Sequence, residues 1–339
     1  MIIVLKPGVS KLDERAVLRE IRRLGYTPHV MRGVARTVVG AIGDELTHAT
    51  LEALLSQFPR AVESVMPIQK RYKLVSREAH PANSTIRVRE HVIGGKKLHV
   101  MAGPCSVEGE KQLLTTARAV KAAGATILRG GAFKPRTSPY EFQGLGEKGL
   151  KLLAKARRET GLAVITELLS ENHADLVAEY TDIIQIGTRN AQNFQLLIAA
   201  AKTGKPVLLK RGLSMKIEEW LLAGEYVLAN ENPNLMFCER GIRTFETYTR
   251  NTLDLSAAPI VKRESHCPVV VDPSQGVGRA DLVTTMCQGA VAMGVDALLI
   301  EVHPNPAEAW SDGAQQVTLE GFAKLMRDLQ PFISAAGRE

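Results

Sequence analysis

The feature that most restricts how this chain can fold is a series of eight short apolar segments between residues 99 and 301. Each segment is four or five residues long, and stretches with helical periodicity separate them. Short apolar strands that alternate with helices predict βαβ units and a parallel sheet covered by helices. The predicted strands are His99–Gly103, Ile127–Gly130, Ala163–Glu167, Ile183–Gly187, Val207–Lys210, Leu235–Glu239, Val269–Asp272 and Ala297–Glu301.

The number and spacing of these strands favour a closed barrel. Eight parallel strands within residues 99–339 match the size of a (β/α)₈ TIM barrel. A doubly wound open sheet is the alternative, but its glycine-rich fingerprint GxGxxG does not follow the first predicted strand. We therefore predict the α/β class, with a (β/α)₈ barrel over residues 99–339. Predicted helices include Leu113–Ala123, Glu147–Glu159, Asn193–Lys202, Lys216–Leu222, Leu282–Met293 and Leu319–Leu329.

Residues 1–76 follow a different order of elements: strand, helix, two strands, helix and strand. That order is typical of a ferredoxin-like unit, so we predict a small α+β domain ahead of the barrel. Ser10 and Asp13 are suited to cap its first helix. The sequence of this segment is compatible with two roles, a solubility or oligomerisation module and a regulatory module. The predicted elements are Ile2–Leu5, a helix with Val17, Ile21 and Leu24 on its apolar face, His29–Met31, a turn at Arg32 and Gly33, Thr37–Ala41, Leu46–Phe58 and Val62–Ile68.

A polar stretch separates the two regions. Residues 77–85, Arg-Glu-Ala-His-Pro-Ala-Asn-Ser-Thr, contain turn formers and no apolar repeat. After it, Ile86–Val92 and Lys97–Ala102 flank Gly94 and Gly95, which predicts a hairpin. We assign residues 77–98 to a linker and hairpin and place the domain boundary there.

Hydropathy and cysteine spacing indicate the compartment. No apolar run reaches the roughly 20 residues that a membrane-spanning helix needs, and Met1–Lys6 shows neither a charged leader nor an extended apolar region. The four cysteines, Cys105, Cys238, Cys267 and Cys287, lie far apart and form no CxxC pair. We expect a cytoplasmic protein with reduced thiols and no membrane partner.

The net charge of +7 raises nucleic acid as a partner, so the distribution of the charge matters. Residues 1–76 hold 12 Lys and Arg against 7 Asp and Glu, and this excess is scattered without interleaved aromatic residues. Scattered cations are typical of a solvated surface, whereas nucleic-acid sites combine clustered cations with stacking aromatic side chains. We expect no nucleic acid partner.

Ionisable residues stand at the carboxyl ends of nearly all the predicted strands, where a barrel builds its site. One such residue is ordinary, but a nearly complete ring indicates a ligand-binding site. Its excess of cations predicts a pocket for two phosphorylated or carboxylated groups. In chain order the ring consists of Cys105, Arg129, Glu167, Arg189, Lys210 with Arg211, Glu239 with Arg240, Asp272 with Gln275, and Glu301.

The second predicted strand leads into a loop rich in glycine, cations and hydroxyls. Residues 129–139 read Arg-Gly-Gly-Ala-Phe-Lys-Pro-Arg-Thr-Ser-Pro. Glycines let the backbone approach a ligand closely, the prolines stiffen the loop, and Arg136 can bind a phosphate or carboxylate with its planar fork. Taken alone, the loop could be a solvated basic turn, but its place in the ring favours an anion site.

A second subset of residues is compatible with a divalent metal. Cys105 follows the first strand, Glu301 ends the last strand, and Asp312 lies in the loop after it. Barrel closure sets the last strand beside the first, so their separation along the chain is no obstacle. A thiolate with carboxylates suits Mn²⁺, Fe²⁺, Co²⁺ or Zn²⁺. Cys105 by itself would be interpreted as a buried thiol.

Seven short motifs occur in order along the chain: Gly103-Pro-Cys-Ser106, Lys134-Pro-Arg-Thr-Ser138, Gln185-Ile-Gly187 with Arg189-Asn190, Leu209-Lys-Arg-Gly212, Cys238-Glu-Arg-Gly-Ile-Arg243, Val271-Asp-Pro-Ser274 and Glu301-Val-His-Pro304. Together they resemble the 3-deoxy-D-arabino-heptulosonate 7-phosphate (DAHP) synthase family. The resemblance covers essentially the whole chain, because one branch of that family carries an N-terminal ferredoxin-like regulatory domain. The sibling family, 3-deoxy-D-manno-octulosonate 8-phosphate synthase, typically has a KANRS-type motif in place of the Lys-Pro-Arg-Thr-Ser found here.

The resemblance implies condensation of phosphoenolpyruvate with erythrose 4-phosphate and water to give DAHP and phosphate, the first step of the shikimate pathway to chorismate and the aromatic amino acids. It also implies an aromatic amino acid effector and a homotetramer. By the same resemblance, phosphoenolpyruvate would be held by Arg129, Lys134, Arg189, Lys210 and Arg240, and the aldose phosphate by Arg136 and Thr137.

Such a condensation needs a group that polarises the aldehyde. Carbon 3 of phosphoenolpyruvate is a weak nucleophile, so the aldehyde oxygen must be polarised by a metal or by a protonated lysine. Lys134, at the centre of the cationic loop, is the predicted catalytic proton donor. The surrounding cations would stabilise the departing phosphate.

One position departs from the family's pattern. The family's usual metal-binding histidine follows Asp-Pro-Ser, and here Gln275 follows that motif. We predict a metal set of Cys105, Gln275, Glu301 and Asp312, with Mn²⁺ favoured and binding weakened, because an amide oxygen is a harder and weaker ligand than imidazole. Two alternatives stay open, the sibling synthase and a barrel that binds phosphorylated ligands without turnover.

Overall fold

The chain divides into two compact units, Met1–Arg71 and Tyr72–Glu339. The computed structural model describes residues 1–32, 37–43, 51–66 and 71–339. Each unit has its own buried apolar cluster. Within the described ranges, no helix is long and apolar enough to cross a membrane.

The strands of the first unit are β1 (Ile2–Leu5), β2 (Thr27–Arg32), β3 (Thr37–Ile42) and β4 (Val62–Met66). They form an antiparallel sheet in the order β2-β3-β1-β4, which confirms the predicted ferredoxin-like arrangement. The helix Lys11–Arg23 begins where the Ser10 hydroxyl accepts a hydrogen bond from the Asp13 amide at 3.1 Å. Val17 and Ile21 on this helix are fully buried in the core of the unit.

Several predictions for the first unit extend past the described residues. The predicted helix Leu46–Phe58 is described as a helix over Leu54–Gln57, and its part before residue 51 lies outside the described residues. Gly33 of the predicted turn and Ile68 at the end of the last predicted strand also lie outside them.

A short antiparallel hairpin lies near the start of the second unit, with strands β5 (Ile86–Val88) and β6 (His91–Ile93). The predicted turn at Gly94 and Gly95 is wrong, because the chain reverses at Arg89 and Glu90. Arg89 adopts φ 54°, a conformation that the tight reversal requires and that few residues other than glycine take up. Sequence reasoning overlooked this turn because it contains neither Gly nor Pro.

Eight parallel strands then close into a barrel, in which the last strand, Ala297–Glu301, pairs with the first, His99–Gly103. All eight predicted strands are present, and each predicted boundary agrees within one residue. The barrel strands are β7 (His99–Gly103), β8 (Ile127–Arg129), β9 (Ala163–Leu168), β10 (Ile183–Ile186), β11 (Val207–Lys210), β12 (Leu235–Glu239), β13 (Val269–Val271) and β14 (Ala297–Glu301).

Helices cover the outside of the barrel. The six predicted helices are present, although the one predicted to end at Leu222 continues to Leu228. The further helices are short, and Pro273–Val277 begins with a proline after Asp272, whose carboxylate accepts a hydrogen bond from the Gln275 backbone amide. The α-helices of this unit are Glu110–Ala122, Glu147–Thr160, Ala174–Tyr180, Phe194–Lys202, Ile217–Leu228, Ala257–Glu264, Pro273–Val277, Ala280–Ala292, Leu319–Asp328 and Gln330–Ala335.

Apolar side chains fill the inside of the barrel near the amino ends of its strands. Ile86, Val88 and Ile93 of the hairpin belong to the same buried cluster as inward-facing strand residues such as Met101 and Leu299. The hairpin therefore closes one end of the barrel with apolar contacts. The polar and charged side chains that can bind a ligand are expected at the other end of the barrel, where the strands have their carboxyl ends.

Candidate active site

A polar cavity of about 470 Å³ lies at the carboxyl ends of the barrel strands. Seven of its lining residues are Lys or Arg, so it is built to hold anions. Loops that follow the strands supply most of them, as the sequence predicts for a barrel. The charged and amide side chains that line it are Lys134, Arg136, Glu141, Glu167, Gln185, Arg189, Lys210, Arg240, Arg243, Arg250, Asn251, Gln275 and Asp312.

Lys134 is buried, yet its ammonium lines the cavity. Its Nζ lies 3.2 Å from the Cys105 carbonyl oxygen and 3.0 Å from the Cys105 sulfur. Burial works against the positive charge, but the Cys105 sulfur and the Glu301 carboxylate outweigh it and raise the pKa of Lys134. The lysine is therefore charged at neutral pH and can donate a proton.

Cys105 is fully buried at the end of β7. Its backbone amide donates to the Gln316 side chain at 3.1 Å, and its thiol donates to Asp312 at 3.3 Å. Burial, with the nearby Glu301 carboxylate, raises the pKa of the Cys105 thiol to about 12. This thiol is therefore harder to ionise than an ordinary cysteine, although the Lys134 ammonium opposes that shift.

Cys105, Glu301 and Asp312 form a possible metal-binding group. One ligand atom from each residue lies within 4.8 Å of the others. Burial opposes the charge on Asp312, but Arg250 and Lys134 outweigh it and lower its pKa, so this carboxylate is ionised. A thiol beside two carboxylates fits a divalent transition metal, whose binding would release the thiol proton. The structure thus brings together Cys105, Glu301 and Asp312 of the predicted metal set.

The Glu301 carboxylate is held from several sides. Oε1 accepts from Arg129 at 2.8 Å and Oε2 accepts from Gln315 at 2.7 Å. Arg129 also donates to the Pro104 carbonyl oxygen, so the guanidinium sits beneath the cavity and outside its lining. Its Nε is buried without a hydrogen-bond partner among the described residues.

Gln275, the fourth predicted ligand, bridges the metal group and the anion-binding cations. Its side-chain oxygen accepts from Arg240 at 3.2 Å, and its side-chain nitrogen donates to Glu301 at 3.4 Å. The Asp272 carboxylate accepts from the Gln275 backbone amide at 2.9 Å, which fixes the residue at the start of a helix. In this orientation the amide oxygen points to Arg240 rather than to Glu301.

A row of buried ion pairs supports the floor of the cavity. Lys210 donates to Asp272 at 2.5 Å, and Arg211 donates to Glu239 at 2.9 Å. Burial raises the pKa of Glu239, and Arg211 opposes that shift. Lys210 also lines the cavity, whereas Arg211 lies outside its lining. The second cation of the Lys210-Arg211 pair is therefore structural.

Two arginines present unused hydrogen-bonding capacity toward an anion. Arg240 is buried and its Nε has no partner among the described residues. Burial lowers the pKa of Arg240, as expected when a charge is held out of water. Arg189 is exposed on the cavity wall. An anion between them would satisfy donors that the protein leaves free.

Arg136 lines the cavity from the loop after β8, where it is followed by Thr137. The Arg136 guanidinium makes two contacts of 3.0 Å with the carboxylate of Glu141, one from Nε and one from a terminal nitrogen. Both of these residues line the cavity. The Arg136 guanidinium, which the sequence predicts to bind a phosphate, is thus already paired with the Glu141 carboxylate.

Most of the predicted site residues meet around this cavity. Of the eleven, only Arg129, Cys105 and Glu301 lie outside its lining, directly beneath it. Sequence reasoning gave no role to Arg243, which ends the motif Cys238-Glu-Arg-Gly-Ile-Arg243, and it missed Arg250. Both follow β12 in residues 240–256, and the length of that loop was the available signal. The residues at or beneath the site to which the sequence analysis gave no role include Glu141, Gln185, Arg243, Arg250, Asn251, Gln315 and Gln316.

Two family models match the chain. The DAHP synthetase I family matches residues 78–335, and the DAHP synthase ferredoxin-like domain matches residues 1–70. A phospho-2-dehydro-3-deoxyheptonate aldolase from Thermotoga maritima is 48% identical over 339 residues, which is 99% of this chain and 99% of that protein. A 2-dehydro-3-deoxyphosphooctonate aldolase from Caulobacter vibrioides is 34% identical over 74% of this chain and 91% of its own length.

Solved structures agree in fold. The crystal structure of the Thermotoga maritima phospho-2-dehydro-3-deoxyheptonate aldolase has a TM-score of 0.80 at 48% identity and covers 100% of this chain and 98% of its own. A truncated form of 3-deoxy-D-arabino-heptulosonate 7-phosphate synthase from the same organism has a TM-score of 0.74 at 47% identity, covering 79% of this chain and 98% of its own.

Proposed function

The chain belongs to the DAHP synthetase I family, and from this premise we propose which of its residues bind and activate phosphoenolpyruvate and erythrose 4-phosphate. The chain is a transferase of aromatic amino acid biosynthesis. Its reaction joins carbon 3 of phosphoenolpyruvate to the aldehyde carbon of erythrose 4-phosphate, adds water at carbon 2 and releases inorganic phosphate. The observation that carries the residue assignments is the cation-lined cavity with Lys134 at its base.

Phosphoenolpyruvate binds between Arg189, Lys210 and Arg240, with Lys134 and Arg129 below. The unpartnered Nε atom of Arg240, which lines the cavity, supports this placement, because a buried donor without a partner costs free energy until a ligand satisfies it. The same cations hold the phosphate as it departs, so the charge that develops in the transition state meets fixed positive groups.

Erythrose 4-phosphate places its phosphate at Arg136 and Thr137. These residues line the cavity on the loop after β8, away from Arg240 on the loop after β12. Separate loops for the two anions hold the aldehyde carbon near carbon 3 of phosphoenolpyruvate. Such positioning converts an encounter of two molecules into a step within one complex.

Lys134 donates a proton to the aldehyde oxygen as the new carbon–carbon bond forms. Its pKa is raised by the Cys105 sulfur and Glu301 in spite of burial, so the proton is present at neutral pH. Contacts of Nζ with the Cys105 carbonyl and sulfur hold the ammonium in place. A pre-positioned acid of this kind typically contributes about 10²- to 10⁴-fold to the rate.

Cys105, Glu301 and Asp312 hold a divalent metal, and Gln275 is a weak fourth ligand. A bound metal supplies Lewis acidity toward a carbonyl oxygen. We favour Mn²⁺ over Fe²⁺, Co²⁺ or Zn²⁺, because an amide oxygen is hard and weakly donating. For Gln275 to serve as a ligand, its amide would have to turn so that the oxygen now bonded to Arg240 is freed from that contact. That turn breaks a hydrogen bond, which weakens the site further.

A comparison of two aldose substrates distinguishes DAHP synthesis from the reaction of the sibling 3-deoxy-D-manno-octulosonate 8-phosphate synthase. Purified protein is given phosphoenolpyruvate with either erythrose 4-phosphate or arabinose 5-phosphate, and released phosphate is measured. The four-carbon aldose should give the larger kcat/KM, since the chain has the Lys-Pro-Arg-Thr-Ser motif on the loop after β8. Preference for the five-carbon aldose would assign the chain to the sibling activity, and no release with either would leave a binding barrel without turnover.

The first unit is proposed to be regulatory. Its match to the ferredoxin-like domain of DAHP synthases supports this role, and the resemblance to that family suggests an aromatic amino acid as effector and a homotetramer as the assembly. Sedimentation of the purified chain checks the assembly. Cytoplasmic localisation stays a prediction from the sequence.

A further inference from the structure

The ion pair between Arg136 and Glu141 is an unexpected feature of the cavity. A guanidinium that binds a substrate anion is expected to be unpaired before the substrate arrives. Here the Glu141 carboxylate of the same loop makes two contacts of 3.0 Å with the Arg136 guanidinium. Glu141 is one of the few carboxylates on the cavity wall, which is otherwise lined by cations. None of the motifs found in the sequence includes it.

The loop itself presents Glu141 to Arg136. The Glu141 amide donates to the Ser138 carbonyl oxygen at 3.3 Å, and the Gln143 side chain donates to the Glu141 carbonyl oxygen at 2.9 Å. The Glu141 side chain is 44% exposed, so water can replace Arg136 as its partner at little cost, whereas the Arg136 side chain is 17% exposed. The Glu141 carboxylate can therefore turn toward solvent while the Arg136 guanidinium keeps its position in the cavity wall.

A phosphate group and a carboxylate compete for the same two donors. Each presents a pair of oxygens to one edge of the guanidinium, and Glu141 already occupies the edge formed by Nε and one terminal nitrogen. The Arg136 hydrogen bond lowers the pKa of Glu141, so the competitor is ionised at neutral pH. A doubly charged phosphate can displace it, but a neutral hydroxyl or a weakly held anion is at a disadvantage.

We propose that the phosphate of the aldose binds the same edge of Arg136 that Glu141 occupies in the free protein, so that Glu141 must be displaced when the aldose binds. This inference rests on the proposed assignment of Arg136 and Thr137 to that phosphate. By filling the second anion subsite, Glu141 discourages unproductive binding of inorganic phosphate in a cavity rich in cations. The cost is a weaker affinity for erythrose 4-phosphate.

The test compares Glu141→Gln with a matched control, Glu159→Gln. Glu159 makes an exposed ion pair with Arg118 at 2.7 Å and does not line the cavity, so the control removes the same charge elsewhere. For Glu141→Gln we expect KM for erythrose 4-phosphate to fall about two- to fivefold, as for the loss of an exposed ion pair. Inhibition by inorganic phosphate should strengthen by a similar factor, with kcat and KM for phosphoenolpyruvate nearly unchanged.

A double-mutant cycle shows whether the effect passes through Arg136. In the Arg136→Ala background, Glu141→Gln should no longer change KM for erythrose 4-phosphate. If Glu141 instead only braces the loop, Glu141→Gln will raise KM and lower kcat, and the inference is overturned. An unchanged KM, or an equal change in Glu159→Gln, also overturns it.

Calorimetric binding of inorganic phosphate to the full chain separates this inference from the proposed function. Tighter phosphate binding by Glu141→Gln than by the wild type, lost when Arg136 is also replaced by alanine, supports the competition. Equal phosphate binding by the two proteins contradicts it. Absence of turnover by the wild type would refute the proposed reaction alone, because the binding comparison is made without substrates.

Discussion

Lys134 is the residue on which the proposed chemistry depends. Lys134→Ala should lower kcat by about 10²- to 10⁴-fold, because it removes the proton donor that Cys105 and Glu301 keep charged. The barrel should stay folded, since the ammonium contacts cavity groups rather than the apolar core. Steady-state phosphate release and circular dichroism measure the two effects.

The control for this variant is Lys151→Ala. Lys151 lies on an outer helix, where it forms an exposed ion pair with Glu147 at 2.7 Å. Its replacement should leave kcat unchanged. If Lys134→Ala keeps more than about a tenth of the wild-type rate, Lys134 is not the acid.

Gln275 decides how tightly the metal group holds its cation. Gln275→His should bind Mn²⁺ about 10- to 100-fold more tightly than the wild type, because imidazole is the stronger donor. Calorimetry with the metal alone measures this directly. Chelator should abolish wild-type activity, and Mn²⁺ should restore it.

Gln275→Ala provides the matched comparison. If Gln275 is a ligand, the alanine variant binds Mn²⁺ more weakly than the wild type, and the order of affinity is His, Gln, Ala. Equal Mn²⁺ affinities for the wild type and the Gln275→Ala variant would show that the Gln275 side chain is not a ligand and only forms hydrogen bonds with Arg240 and Glu301. Full activity in excess chelator, with no metal detected in the protein, would contradict the metal site.

At the residue scale the sequence indicates which groups meet but says less about how they pair. Barrel topology places Cys105 near Glu301, so their proximity could be predicted from the strands alone. The partner of Arg136 depends on the path of residues 137–141, which no periodicity specifies. Arg250 reaches Asp312 from another loop at 3.0 Å, a contact between distant segments that spacing does not reveal.

At the scale of elements, the ends of β7 and β8 are packed closely against each other. A Cβ atom added at Gly103 would lie 2.1 Å from the Arg129 carbonyl oxygen, a backbone atom that cannot move alone. Gly103→Ala should therefore cost about 1–3 kcal/mol of stability and shift Arg129 away from Glu301. The melting temperature of the full chain should fall by at least about 2 °C.

Gly95→Ala is the control for that substitution. The nearest atom to a Cβ at Gly95 is the Val92 carbonyl oxygen at 3.6 Å, which is ordinary van der Waals contact. Its melting temperature should stay within about 2 °C of the wild type. Equal melting temperatures for Gly103→Ala and the wild type would show that the strand end is looser than the structure indicates.

Elements with strong periodicity could be predicted, whereas those shaped by local chemistry could not. The barrel strands are continuous apolar runs, and their boundaries agree closely with the structure. The hairpin turn at Arg89 and Glu90 carries no glycine, so the nearby glycines misled the prediction. The helix Pro273–Val277 follows β13 almost directly, and five residues are too few to show a helical repeat.

At the scale of the whole molecule, the two units are expected to divide catalysis and control. Deleting residues 1–71 should leave DAHP synthesis and remove inhibition by phenylalanine, tyrosine, tryptophan or chorismate. Phosphate release with and without each compound is the measurement. If none of them inhibits the intact chain, the first unit has another duty.

The position of the cut matters. Tyr72 donates to Glu264 at 2.7 Å, and the backbone amide of Val75 donates to Glu225 at 3.0 Å, so these residues belong to the barrel unit. A cut after residue 76, where the sequence suggests the domain ends, would remove both contacts. Such a deletion should melt at a lower temperature than the deletion of residues 1–71.

The stoichiometry of phosphate release tests the central claim most directly. Phosphoenolpyruvate is incubated with the wild-type protein and Mn²⁺, with and without erythrose 4-phosphate, and phosphate and both substrates are measured together. The proposed function predicts one phosphate released for each phosphoenolpyruvate and each erythrose 4-phosphate consumed, and none without the aldose. Phosphate release that is independent of the aldose, or no release with both substrates present, would contradict it.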